Sequence, residues 1–206
     1  MSLDSINNQL LPLFYEVKPL SLSSCWSKLY LSQVIRENGI RFHEELRLSE
    51  DTLFNLDYLA CIEQVVVSNL PVTFYRTNAA SVTKVFHAEH LDNRLRFFDI
   101  LKEREYEDAP VHIAALLFFE ICKIERFTKG RERKLLEKKI RNYLSENAQM
   151  LRRVRKLSLS AGRWQKYAYR AAAICFANRA YWIGFMLLRV YAAVTQGEIN
   201  DLTANQ

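Results

Sequence analysis

Glycine and proline are scarce in this chain, five and four among 206 residues. So few turn-formers argue against a β-rich or disordered protein, because helices need little of either. The four cysteines, Cys25, Cys61, Cys122 and Cys175, are far apart and form no Cys-x-x-Cys pair. That spacing speaks against metal or dithiol chemistry and leaves buried free thiols in a reducing compartment as the expectation. The first residues lack a basic stretch followed by an apolar run, so no secretory leader is expected. No Asp-x-Asp, Gly-rich phosphate loop or alternating strand–helix pattern is present to build a nucleotide-binding sheet. The last deficiency is of one charge sign. Residues 148–197 hold nine basic side chains and no acidic one, whereas 1–147 are near neutral with 20 basic and 21 acidic.

What is plentiful is apolar surface. Hydrophobic residues make up 50% of the chain and aromatics 12%, enough for a substantial core. Apolar spacing predicts helices over 4–16, 26–38, 50–63, 88–107, 110–129, 131–156 and 161–196, with breaks at Gly130 and 158–162. Gly39 suits the left-handed position that ends a helix, and Phe42 is expected to fold back onto the core. Runs at 64–68 and 72–76, separated by Asn69-Leu70-Pro71, read as a hairpin with at least one edge strand. The fold class is therefore mainly α with a small β-hairpin. His87 and His90, three apart, lack a third ligand nearby and read as helix polarity rather than a metal site.

The stretch 28–56 carries the chemistry. Ser49 is placed to cap the helix that follows by accepting a bond from a first-turn amide. Glu50 and Asp51 then sit at the positive end of its dipole, which favours their charged form. A carboxylate held ionised at a loop-to-helix junction can take a proton from a substrate hydroxyl. The plain alternative is that acids favour helix starts wherever they occur.

A run of ordered motifs extends this reading: Trp26, Lys28-Leu29-Tyr30, Asn38-Gly39-Ile40-Arg41-Phe42, Glu44-Glu45, Ser49-Glu50-Asp51, Phe54-Asn55-Leu56, Tyr58-Leu59, Phe74-Tyr75-Arg76 and Ala80-Ser81-Val82-Thr83. Over about residues 22–85 the chain resembles the second half of the inverting family 2 glycosyltransferases, GT-A type enzymes that build bacterial surface polysaccharides. The resemblance implies an acceptor-side end of a GT-A domain over 18–86, preceded by a helical lead-in at 1–17 and followed by a helical region at 87–206. It implies a parent enzyme that transfers a sugar from a nucleotide-sugar to a saccharide or lipid-linked saccharide with inversion. Asp51 takes the role of catalytic base and Glu50 orients groups beside it. Trp26 would stack on a sugar ring, Lys28 meet a phosphate or steady Asp51, and Arg76 with Ser81 contact phosphate. The nucleotide-sugar and its Mg²⁺ or Mn²⁺ would belong to a donor-binding half that this sequence lacks. The chain alone, read as a C-terminal fragment, is expected to need no cofactor and to be inactive.

The tail from 148 to 197 interleaves aromatic and basic residues, which points to a polyanion. An anionic membrane surface is the expected partner, with a cytoplasmic chain lying at the inner face of the cell membrane. Arg179 and Arg189 argue against a spanning helix. Arg163, Lys166 and Arg170 share one helical side and Arg179 lies nearly opposite, so either a break near 170–178 or partial packing against the earlier helices is expected. No nucleic-acid-binding motif accompanies the charge, so nucleic acid is not an expected partner. Exposed apolar surface would favour a homodimer. The competing function class is a non-catalytic helical module that binds a membrane surface or a protein through this basic tail.

Overall fold

A computed structural model describes residues 24–66, 68, 70, 73–74, 87–104, 109–154 and 163–195, without the side chains of 153, 154 and 163–166. Among these residues the chain is mainly helical. Eight helices follow in order: α1 (Ser32–Glu37), α2 (Glu50–Leu59), α3 (Glu89–Glu103), α4 (Ala109–Phe127), α5 (Gly130–Glu146), α6 (Ala148–Val154), α7 (Arg163–Ala177) and α8 (Tyr181–Val194). The expected helix at 4–16 lies outside the described residues, as do 67, 69, 71, 72, 75 and 76 of the expected hairpin; of the hairpin residues that are described, Gln64 alone has bridge geometry, so the hairpin is not shown. The chain divides into two compact units, Met1–Val85 with Asp92–Glu107, and Phe86–Leu91 with Asp108–Gln206.

In the first unit, α1 is shorter than the expected 26–38. Residues 24–31 are instead an irregular segment, with Ser27 at a positive φ of 58°. Their backbone groups are satisfied by side chains of α2 rather than by a helical ladder, and that competition sets the boundary. The other end of α1 is as expected. Gly39 has φ 61°, its N–H bonds the Arg36 carbonyl at 3.3 Å, and the Ile40 N–H reaches back to the Ile35 carbonyl at 3.0 Å. This paired closure needs a left-handed residue, which glycine supplies without a Cβ clash. Ile40 then buries with Phe54 and Tyr58, and Cys25, Tyr30, Val34, Ile35 and Ile62 pack around them. Phe42 stacks on Phe54 at 4.4 Å, although half of it stays exposed.

The second unit is built around α4, which packs with α5, α6, α7 and α8. Phe118 of α4 meets Tyr169 edge-on at 5.3 Å and Phe176 at 5.6 Å, and Phe176 meets Phe185 at 5.4 Å. Rings at such angles gain beyond the area they bury, roughly 1 kcal/mol per pair. Gly184 lets α8 close onto α7: a Cβ there would lie 2.3 Å from the Phe176 ring.

Two expected long helices are each cut in two. The helix expected over 131–156 breaks at Asn147, whose side-chain amide and backbone N–H both donate to the Tyr143 carbonyl, at 2.8 and 3.1 Å. Asparagine competes for backbone acceptors in this way and so ends helices. The helix expected over 161–196 breaks at 178–180, beyond the expected 170–178. There the Arg179 N–H bonds the Phe176 carbonyl at 3.0 Å and the Ala180 N–H the Cys175 carbonyl at 2.9 Å. Arg179 itself takes φ 60°, a conformation that disfavours side chains with a Cβ.

A buried carboxylate joins three of these helices. Glu125 of α4 is bound by Arg189 of α8 through two bonds, of 2.8 and 2.9 Å, and by Arg133 of α5 at 3.1 Å. Arg133 also donates to the Glu125 and Thr128 carbonyls, closing the last turn of α4. Arg189 reaches Glu137 as well, at 3.2 Å. Burial raises the Glu137 carboxyl above its ordinary 4.5, and its contact with Glu125 adds to the effect. Arg189 therefore has internal counter-ions, which corrects its expected place among charges left for an outside polyanion.

Candidate carboxylate site of the first unit

The polar positions of α2 define the site. Asp51, Asn55 and Tyr58 fall at i, i+4 and i+7, a single helical face. Each holds one rung of the irregular segment 24–31. The Cys25 N–H donates to Asp51 Oδ2 at 2.9 Å. Asn55 Nδ2 donates to the Ser24 carbonyl at 3.0 Å, while Asn55 Oδ1 accepts from the Tyr30 hydroxyl at 2.6 Å. The Leu31 N–H donates to the Tyr58 hydroxyl at 2.8 Å. Asn55 is buried and satisfied on both sides, the condition under which a buried amide is tolerated. Tyr30 stands edge-on to Tyr58 at 4.9 Å and to Phe54 at 5.4 Å, so the same ring locks the rungs and fills the core.

Asp51 is half-buried in the first turn of α2, with Glu50 before it. The Cys25 amide donates to Oδ2, and the Cys25 Sγ lies 3.8 Å from the Asp51 carbonyl oxygen. Ser49 does not cap the helix, contrary to expectation. It stands in the left-handed region at φ 70°, makes no side-chain cap bond, and its hydroxyl accepts from Arg94 Nη1 at 2.6 Å. A capping hydroxyl needs an extended backbone at its own residue, and the positive φ removes it.

Lys28 and Trp26 lie on the stitched segment. Lys28 Nζ donates to the Ser24 carbonyl at 2.6 Å. Burial lowers the Lys28 ammonium from its ordinary 10.5, while the nearby Asp51 charge pulls the other way. The two do not close to an ion pair, so Lys28 steadies Asp51 only at a distance. Trp26 is half-exposed, and Leu29 beside it is fully exposed. Burial pushes the Cys25 thiol up to about 11, so it stays protonated at neutral pH. The expected phosphate contacts Arg76 and Ser81 lie outside the described residues. The structure thus brings Asp51, Glu50, Lys28 and Trp26 into one region of the first unit.

Sequence reasoning passed over Cys25, Tyr30, Asn55 and Tyr58 as parts of this site. A polar stripe at 51, 55 and 58 on one face of the helix was the available signal. It also gave no weight to His43, whose Nδ1 lies 3.2 Å from Glu45 and whose Nε2 lies 3.7 Å from Asp57. Asp57 in turn pairs with Arg104 at 2.6 Å. His43, Glu45 and Asp57 border an open groove of about 640 Å³ that also involves Arg41, Phe42, Glu44 and Cys61. The groove lies toward the end of α2 remote from Asp51, which is not among its lining residues, so cavity size and carboxylate chemistry point to different places. The groove is a shallow surface feature in which Glu45 and Asp57 are paired with His43 and Arg104.

Among the described residues, no three His, Cys, Asp or Glu side chains converge as a metal site. None of the described helices is long and apolar enough to cross a membrane. Comparison with protein-family models, with curated proteins and with solved structures finds no match to this chain.

Proposed function

We propose that residues 22–85 form the acceptor-side end of an inverting, GT-A type glycosyltransferase, with Asp51 as its base. The acceptor hydroxyl oxygen bonds to the anomeric carbon from the face opposite the nucleotide. The bond from that carbon to the leaving phosphate oxygen breaks, and its electron pair departs with the phosphate. The hydroxyl proton passes to Asp51 Oδ1 as the new bond forms. The nucleotide-sugar and its metal are taken by a donor-binding half, and no step here is assigned to the metal. Trp26 offers an apolar ring face to the sugar. Lys28 keeps positive charge near the base.

The observation that carries this reading, beside the motif run, is the asymmetric tether of Asp51. One oxygen is fixed by the Cys25 amide at 2.9 Å, which orients the carboxylate and leaves the other to accept a proton. The exposed Trp26, Leu29 and Leu31 on the same segment further support a surface built to meet another part of an enzyme or a substrate.

The test is Asp51→Asn in the enzyme encoded by the whole reading frame. The asparagine side-chain oxygen can still accept from the Cys25 amide, so the fold should persist. Turnover should fall by about 10²- to 10⁴-fold, the usual contribution of a positioned base, with nucleotide-sugar binding nearly unchanged. Undiminished turnover would refute the assignment, and so would a reading frame with no donor-binding half.

A further inference from the structure

Helix α8 is amphipathic the wrong way round for a helix that ends at water. Its inner face, Gly184, Phe185, Leu188 and Ala192, is buried in the second unit. Its outer face carries Trp182, Met186, Val190 and Val194 at i, i+4, i+8 and i+12, exposed to 70, 44, 57 and 80%. Arg189 stands at the edge of this face, and it is bound to Glu125 and Glu137. An unbroken apolar row of this kind on a surface helix marks a contact face. At 14 residues α8 spans only about 21 Å, too little for a bilayer core of about 30 Å.

The charge around the row says what meets it. No carboxylate occurs anywhere from 148 to 197. Arg152, Arg170 and Arg179 are exposed and make no ion pair with any described residue. Arg179 also holds a left-handed φ of 60° at the tip of the α7–α8 turn, where glycine would be less strained. A cation kept at such a position is better explained by use than by local fit. On α7, Tyr167 and Ile174 add apolar exposure beside Arg170. A second copy would bring the same positive surface against this one, and like charges would oppose it.

We propose that the outer face of α8 docks on an anionic lipid surface. Trp182 would sit at headgroup level with Met186 and Val190 reaching the acyl boundary, while Arg170 and Arg179 face lipid phosphates. The helix lies in the interface and does not cross it. The surface is independent of the Asp51 site and stands or falls by itself.

Flotation of the full chain with vesicles of phosphatidylcholine alone, and of phosphatidylcholine with phosphatidylglycerol, tests this. Binding is expected only to the anionic vesicles, weakening as salt is raised. Trp182→Ala should reduce it about tenfold, and Arg170→Glu with Arg179→Glu should remove its dependence on lipid charge. Met186→Ser with Val190→Ser is a second probe of the face, with far-UV circular dichroism confirming helix content for each variant. Brominated lipid should quench tryptophan fluorescence in the parent chain and do so less in Trp182→Ala. Four results would overturn the proposal: no flotation, equal binding to neutral vesicles, variants that bind as the parent does, or a dimer that Trp182→Ala dissociates without any vesicle binding.

Discussion

The two units solve the same problem, burying a polar backbone and a few polar side chains, by opposite means. In the first, an irregular segment lies along a helix, and its free backbone groups must find side-chain partners. Asp51, Asn55 and Tyr58 supply them, so the polar residues of α2 are committed to fixing residues 24–31. In the second, helices satisfy their own backbones, and the exceptional group is a side chain. Glu125 is buried and neutralised by arginines from two other helices. An irregular scaffold can thus hold a carboxylate with one oxygen tethered and one open, whereas a helical scaffold with a buried carboxylate needs it fully paired. That contrast favours Asp51 over Glu125 as the reactive acid.

The largest break in this comparison should come from Glu125→Ala. It leaves Arg133 and the half-exposed Arg189 without their shared buried partner; breaking a fully buried pair costs about 3–5 kcal/mol, and solvent screening of Arg189 brings the expected loss to about 2–4 kcal/mol. Glu125→Gln should cost less, since its amide oxygen still accepts from one arginine. Urea denaturation followed by circular dichroism measures both. A loss below about 1 kcal/mol for Glu125→Ala would show the network to be solvated.

Asn55→Ala should cost less, about 1–3 kcal/mol, by removing the acceptor of the Tyr30 hydroxyl and leaving the Ser24 carbonyl to Lys28 alone. Tyr30→Phe removes only one of those bonds. A double-mutant cycle between the two should give a coupling of about 0.5–3 kcal/mol. Additive losses would mean that the rungs act separately and that Asp51 is not held by a joint structure.

Features governed by neighbours in sequence were readable beforehand. Gly39 ends α1 because a left-handed closure is a local requirement, whereas the tail break expected at 170–178 falls instead at 178–180. Features decided by distant partners were not. Arg189 meets Glu125 across 64 residues, and Cys25 meets Asp51 across 26. Ser49 shows the limit within a local motif: the residue type fits a cap, but its hydroxyl is bound to Arg94, which arrives 45 residues later. The Glu-Asp pair at the start of α2 was legible as an acidic first turn, and the tether that makes one of its members asymmetric was not.

The smallest expected effect concerns His90, which is buried in the second unit and lies 4.8 Å, ring to ring, from His87. Burial lowers its imidazole from the ordinary 6.5, and the charges of His87 and Lys123 add to this, while Glu120 and Glu89 oppose it. With a folded value below the unfolded one, the unfolded chain binds more protons just below 6.5, so stability falls as pH falls through that window. Glu137 works in the opposite sense, because a raised carboxyl favours the folded state as pH drops toward 4.5. His90→Asn should therefore flatten the acid side of the stability profile between about pH 7 and about pH 5, and Glu137→Gln should steepen it. Urea midpoints read across that range would separate them. A parent profile that is level there, or one that His90→Asn leaves as steep as before, would place the acid sensitivity of the helical unit elsewhere than in His90.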